Sequence, residues 1–277
     1  MGFGWLKKSI RKLQRTETTR AVEHLGRTVG RVGLHTLADI LGAVSPRYAD
    51  ERRLLRVATR VTSQNFEDAM TADIFARIGF GNRRFVEIGA GDGHENCTRF
   101  LLEHLDFSGV WVERSPAFVE RIRKRFKRYI DGGRLTVIEA KVDRDNIGGL
   151  IPAQYASVDF LSVDIDMNTS HVWRGMDVTA RVACIEYNAS FPPSVAFEVE
   201  YDPDGTWDHS NIYGASLKTL ENIGRDKGMR LVGCDFVGVN AFFVAENEVK
   251  DRFRDPFTAE NHFEPPRFLK RGHPPRR

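Results

Sequence analysis

Two groups of side chains in this chain have the types and spacing that chemistry needs. The first is a glycine turn, where Phe85-Val86-Glu87-Ile88 runs directly into Gly89-x-Gly91-x-Gly93. The apolar run reads as a strand, and the glycines let the backbone turn sharply and let a ligand come close. The second group is acidic. Phe160-Leu161-Ser162-Val163 leads into Asp164-Ile165-Asp166, and Cys184-Ile185 leads into Glu186-Tyr187-Asn188. Side chains along a strand repeat every two residues, so Asp164 and Asp166 are expected on one face, as are Glu186 and Asn188. If the two strands are neighbours, four oxygen-bearing side chains converge at one end of the sheet.

The glycine spacing decides what the turn can hold. A dinucleotide pyrophosphate needs G-x-G-x-x-G, but here the third glycine comes one residue early and Asp92 adds a negative charge. That charge suits a cationic ligand, and S-adenosylmethionine (SAM), with its sulfonium and ammonium, fits. Val110-Trp111-Val112-Glu113 ends in an acid that can accept hydrogen bonds from both ribose hydroxyls. The adenine is expected near Ala140, Lys141 and Val142, with Asp143 a weaker candidate for its amine. An ordinary surface pair is the alternative for Lys141 and Asp143, and a tight turn in another α/β fold is the alternative for the glycines.

Hard oxygen donors at the spacing of Asp164, Asp166, Glu186 and Asn188 suit Mg²⁺ or another divalent cation. The arrangement is similar to that in catechol O-methyltransferase-like enzymes. The same groups could instead bind substrate hydroxyls, act as a general base, or take the ammonium of the cofactor. His171, just beyond the fourth strand, is a candidate base; the alternative is that it caps or packs the next helix. Residues 189–213 form a long segment rich in Pro, Asp and aromatics, where Tyr201, Trp207, His209 and Tyr213 are candidates to stack on a substrate ring.

These residues need a scaffold. Strands are expected at 84–89, 108–113, 135–140, 158–165, 182–187, 229–235 and 241–245. Helices are expected at 66–78, 95–104, 117–129, near 171–176 and at 217–227. The alternation implies a doubly wound, Rossmann-like, seven-stranded and mostly parallel sheet. The last two strands are too close together for a helical crossover, so they pair antiparallel.

The chain has 277 residues and a net charge of +3. Residues 1–60 hold thirteen Lys or Arg against five Asp or Glu, a local +8, which leaves −5 for residues 61–277. The first sixty residues read as a basic helical extension. Packing on the domain or on a second subunit is expected for it. Contact of residues 1–15 with an anionic membrane surface comes next, and nucleic-acid binding is not expected. Residues 251–277 are expected as a basic, Pro-rich tail. Three cysteines with no C-x-x-C suit a reducing cytoplasm. No apolar run approaches the roughly 20 residues of a membrane span, and no signal peptide is expected.

Ser63-Gln64-x-x-Glu67-Asp68, the turn Val86–Gly93, and Asp164-Ile165-Asp166-x-Asn168 together resemble the FkbM-like branch of class I SAM-dependent methyltransferases. The resemblance covers roughly residues 62–246, within a catalytic domain spanning 61–250. It implies SAM contacts from Glu87, Gly89, Gly91 and Glu113, with Ser63 and Gln64 at the lip, and O-methylation of a sugar, glycolipid headgroup or natural product; N-methylation of a small molecule or amino sugar is the alternative. Typical members carry Asp and Asn where this chain has Glu87 and Asp92. An NAD-dependent oxidoreductase is disfavoured by the turn spacing, and a non-catalytic SAM-binding module by the acidic group beside the turn.

Overall fold

The computed structural model describes residues 32–34, 36–54, 60–208 and 210–267. Seven strands form one sheet: β1 Arg84–Ile88, β2 Ser108–Glu113, β3 Leu135–Glu139, β4 Ser157–Val163, β5 Thr179–Glu186, β6 Met229–Cys234 and β7 Asn240–Ala245. Their order is β3-β2-β1-β4-β5-β7-β6. Neighbours from β3 to β5 run parallel, and β7 is antiparallel to both β5 and β6. The winding direction reverses between β1 and β4, and open α/β sheets leave a ligand crevice at that point. This is the doubly wound, Rossmann-like sheet with an antiparallel final strand that the alternation of elements predicts.

The helices include α1 Glu67–Ile78, α2 Arg99–His104, α3 Pro116–Arg125, α4 Lys127–Asp131, α5 Ile147–Leu150, α6 Thr169–Gly175 and α7 Leu217–Asp226, with two short ones at Glu246–Val249 and Ala259–His262. Alternation along the strands feeds two cores. Val86, Val163, Ile185 and Phe243 pack with Trp173 of α6 and Leu220 of α7. Phe85, Phe160, Cys184 and Phe242 face the other way, against Phe75 of α1, Leu101 of α2 and Phe126. Burial on both faces explains why these strands are nearly continuous apolar runs.

Three differences from the expected boundaries bear on the site. The second helix starts at Arg99, not 95, because the buried Glu87 carboxylate takes the N–H groups of Cys97 and Thr98. The helix expected at 117–129 breaks at Phe126 into α3 and α4. The fourth strand stops at Val163. Asp164 still donates its N–H to the Ile88 carbonyl, but Asp166 has φ +59 and the chain turns. Asp164 and Asp166 therefore do not share a strand face.

Of the N-terminal extension, residues 36–44 are helical, and Ala38 packs with Leu34, Leu41, Phe66, Phe236 and Val237. Residues 1–31, with the expected membrane contact of 1–15, lie outside the described residues. Residues 251–267 are packed, although a tail was expected from 251. Phe253 and Glu264 are buried, and Glu264 receives the Tyr48 hydroxyl at 2.9 Å and Arg267 at 2.7 Å. An apolar ring and a paired acid hold this segment to the domain. The remainder of that expected tail, 268–277, lies outside the described residues. No helix among the described residues is long and apolar enough to cross a membrane.

Candidate functional site

Gly89 follows β1 with φ +86, and a Cβ there would lie 1.8 Å from the Asp164 carbonyl oxygen, so only glycine fits. The tip of β2 braces the turn. Glu113 Oε2 accepts the Gly91 N–H at 2.9 Å, and Oε1 accepts the Ser115 N–H at 2.8 Å. Ser115 in turn caps α3. A cavity of about 220 Å³ opens at this point, lined by Gly89, Gly91 and Glu113. Ala140, Lys141 and Val142 close it after β3, and Asp164 and Asp166 close it after β4. Six of the expected cofactor residues and the two acids are thus brought together from four strand ends.

A second cavity, about 490 Å³, shares Gly89, Gly91, Phe118 and Asp164 with the first. It is bordered by Gln64, Glu67, Glu87, Asp92, Asn96 and Asn240. Glu87 sits on the β1 face covered by α2, where its carboxylate accepts from Cys97 N at 2.9 Å and Thr98 Oγ1 at 2.5 Å. Burial pushes its pKa up to about 7, against the pull of those hydrogen bonds. Glu67 accepts from Asn240 Nδ2 at 2.9 Å; burial, and then the charge of Asp235, push it up as well.

Beyond the sheet, Asp164 and Glu186 are hydrogen-bonded to each other, and Thr169 Oγ1 donates to Glu186 at 3.3 Å. Burial first, then the proximity of other carboxylates including Asp166, raises both acids. Both acids therefore give up their protons less readily than free carboxyls do, and one proton can be shared between them. Tyr213 stands close by: burial, then Glu186 and Asp164, raise its hydroxyl. A carboxyl–carboxylate pair of this kind can accept a proton from a weakly acidic group.

Several expected roles do not match the geometry. The four candidate metal donors form no donor set. Asn188 is fully buried and gives its Nδ2 to the carbonyls of Asn211 and Tyr213, while its Oδ1 accepts the Ser190 N–H. Asp164 and Glu186 are engaged with each other. No three His, Cys, Asp or Glu among the described residues are arranged to hold a metal. The residues present do not fit a Mg²⁺ ion, and no step is drawn through one.

His171 is turned to the 189–213 segment. One ring nitrogen lies 2.8 Å from the Val199 carbonyl and the ring lies 5.4 Å from Tyr201, so His171 packs that segment and does not line either cavity. Tyr201 meets the His171 ring at an angle and lies under the Arg144 guanidinium, 3.9 Å from the ring centroid. Trp207 is exposed, its indole N–H bonded to the Ser210 carbonyl. Of the three described aromatics expected to meet substrate, Tyr213 approaches the acids; His209 lies outside the described residues. Ser63 is buried, its hydroxyl accepting the Asp68 N–H at 3.2 Å, and only Gln64 borders a cavity. Asp92 is flanked by Arg121 and Arg125 at 3.8 and 3.9 Å, which offsets the charge that the motif predicts beside the turn. Asp143 accepts the Asp145 and Asn146 N–H groups in its own turn.

Sequence reasoning missed Phe118, Asn168, Pro203 and Gly205 in the first cavity and Asn96 and Asn240 in the second. Asn168 lies inside a recognised motif. The 202–205 turn reaches the cavity because Asp204 pairs with Lys141 at 2.5 Å and the Asp202 carbonyl accepts from Asn168 at 2.7 Å. Nothing local in the sequence foretells those contacts.

No family model matches this chain, and no curated protein matches it. Solved structures do. The N-terminal domain of EvdMO1 with S-adenosylhomocysteine (SAH) bound is 14% identical, over 66% of this chain and 82% of that one, with a TM-score of 0.42. The CcbJ methyltransferase from Streptomyces caelestis is 14% identical, over 65% and 88%, with a TM-score of 0.40. An O-methyltransferase family protein from Burkholderia thailandensis is 15% identical with a TM-score of 0.39; the match takes in 65% of this chain and 57% of that one. None reaches a TM-score of 0.5, so the fold rests on the strand order and the site on its own residues.

Proposed function

We propose that this chain is a SAM-dependent methyltransferase, of the FkbM-like kind, that methylates a hydroxyl of a small polar acceptor such as a sugar or a glycolipid headgroup. The polar lining of the site carries this reading. The buried ionisable side chains bordering the two cavities are the acids Glu67, Glu87 and Glu113, while the cations Arg114, Arg121 and Lys141 are exposed at the rim. Among the described residues no buried cation is placed to neutralise a pyrophosphate, and the carboxyl oxygens can accept from an ammonium and from ribose hydroxyls.

When bound, SAM supplies an electrophilic methyl group and leaves as SAH. Glu113 keeps lone pairs for ribose hydroxyls beyond those given to Gly91 and Ser115. Ala140, Lys141 and Val142 frame the adenine side, and Gln64 and Glu87 border the amino-acid side. The ionised member of the Asp164–Glu186 pair takes the acceptor's hydroxyl proton, and Tyr213 helps hold that hydroxyl. The protein otherwise contributes by aligning its two reactants.

Thermal melts with SAH and with NADH test the cofactor. SAH is expected to raise the melting temperature and NADH to leave it unchanged. A shift with NADH and none with SAH overturns the reading. With a competent acceptor, Asp164→Asn should lower turnover at least ~100-fold, while His171→Gln should stay within a few-fold of the unaltered chain.

A further inference from the structure

We propose that the outer face of α3 and α4 docks on an anionic lipid surface and sets the cavity mouth against the headgroups. Residues 114–134 hold eight Lys or Arg against two Asp or Glu, in a chain whose residues 61–277 sum to −5. Arg121, Arg123, Lys124, Arg125, Lys127 and Arg128 are all exposed. The inward sides of the same helices bury Val119, Ile122, Phe126 and Tyr129, so the cations have one direction to face.

Folding does not explain this concentration. Within α3, Arg121 stands at i+3 from Lys124 and at i+4 from Arg125, and like charges at those spacings weaken a helix. The helix dipole favours the cations in the last turn of α3 but disfavours Lys127 at the start of α4. Compensation is thin. Asp92 is shared by Arg121 and Arg125, Arg123 reaches Glu139 at 3.8 Å, and Lys127 meets Asp131 at 2.6 Å. Among the described residues, no carboxylate forms an ion pair with Arg114, Lys124 or Arg128 within 4.0 Å.

The face is continuous with the cavities. Phe118 is 38% exposed, with the Arg121 guanidinium 5.3 Å from its ring centroid, and Phe118 lines both cavities. One exposed aromatic among many cations suits an interfacial anchor on charged headgroups. A single-stranded nucleic acid would want a row of stacking rings, and Phe126 and Tyr129 are turned inward. The docking surface does not depend on the methyl-transfer reading; if both hold, the acceptor is presented from the headgroup layer.

The test is co-sedimentation of the full chain with vesicles of phosphatidylcholine alone and of phosphatidylcholine mixed with phosphatidylglycerol. Binding should need phosphatidylglycerol and fall away in high salt. The variant R123E/K124E/K127E/R128E should lose binding by at least ~10-fold, with its SAH melting shift retained. The neutral variant K124Q/K127Q/R128Q gives the same direction if charge reversal impairs folding. Both variants keep the cations of residues 1–31, so the comparison isolates the helix face. Equal binding to neutral vesicles, a loss smaller than about twofold in both variants, or binding to polyuridylate RNA without binding to vesicles overturns the proposal.

Discussion

Glu113 at the tip of β2 and Gly91 in the turn after β1 are joined by an N–H···Oε2 bond of 2.9 Å. The acid at the tip of β2 therefore shapes the turn after β1, and both line one cavity. Because Glu113 is buried to 8% exposure, the bond is shielded from water and charge-assisted.

Replacing Glu113 with Ala removes the acceptor for the Gly91 and Ser115 N–H groups. Stability should fall by about 1.5–3 kcal/mol in urea melts, and SAH affinity by at least ~10-fold in calorimetry. A variant that loses stability but binds SAH as well as before would reduce Glu113 to a brace of the turn.

Glu87 makes a pH prediction. Its folded pKa of about 7 is above its ordinary value of 4.5, so the folded chain holds a proton that the unfolded chain has released. That contribution is complete below the ordinary value, fades as pH rises, and is lost above about 7. Glu67, Asp164 and Asp235 are pushed the same way, so stability should decline with rising pH across this window. Glu87→Gln should remove one group's share of the slope, at most ~1.4 kcal/mol per pH unit. Urea melts at several pH values between about 4.5 and 7 measure it, and an unaltered slope in the variant contradicts the assignment.

Asn188 is a structural anchor in this geometry, with three hydrogen bonds to the 190–213 segment and no exposure. Asn188→Ala should cost about 2–3 kcal/mol. EDTA should leave both the stability of the unaltered chain and its SAH melting shift unchanged. A shift that disappears with EDTA and returns with Mg²⁺ would restore the metal reading.

The doubly wound, mostly parallel sheet and the glycine turn were legible in the residues because they rest on local rules: alternation of elements, apolar strands buried on both faces, and a position where only glycine fits. Glu113, too, could be found by its place at a strand end. The roles of Asp166, Asn188 and His171 were not legible in this way. Each depends on where a strand stops or on what a distant segment does, and strand periodicity says nothing past Val163 or Glu186. The 189–213 segment folds back onto Asn188, His171 and Lys141, engaging side chains that look free in the sequence. Sequence alone thus determined the scaffold and the glycine turn, which rest on patterns local to the chain. Tertiary structure decided which acids pair, because carboxylates carried on β4 and β5 feel each other only once those strands lie side by side.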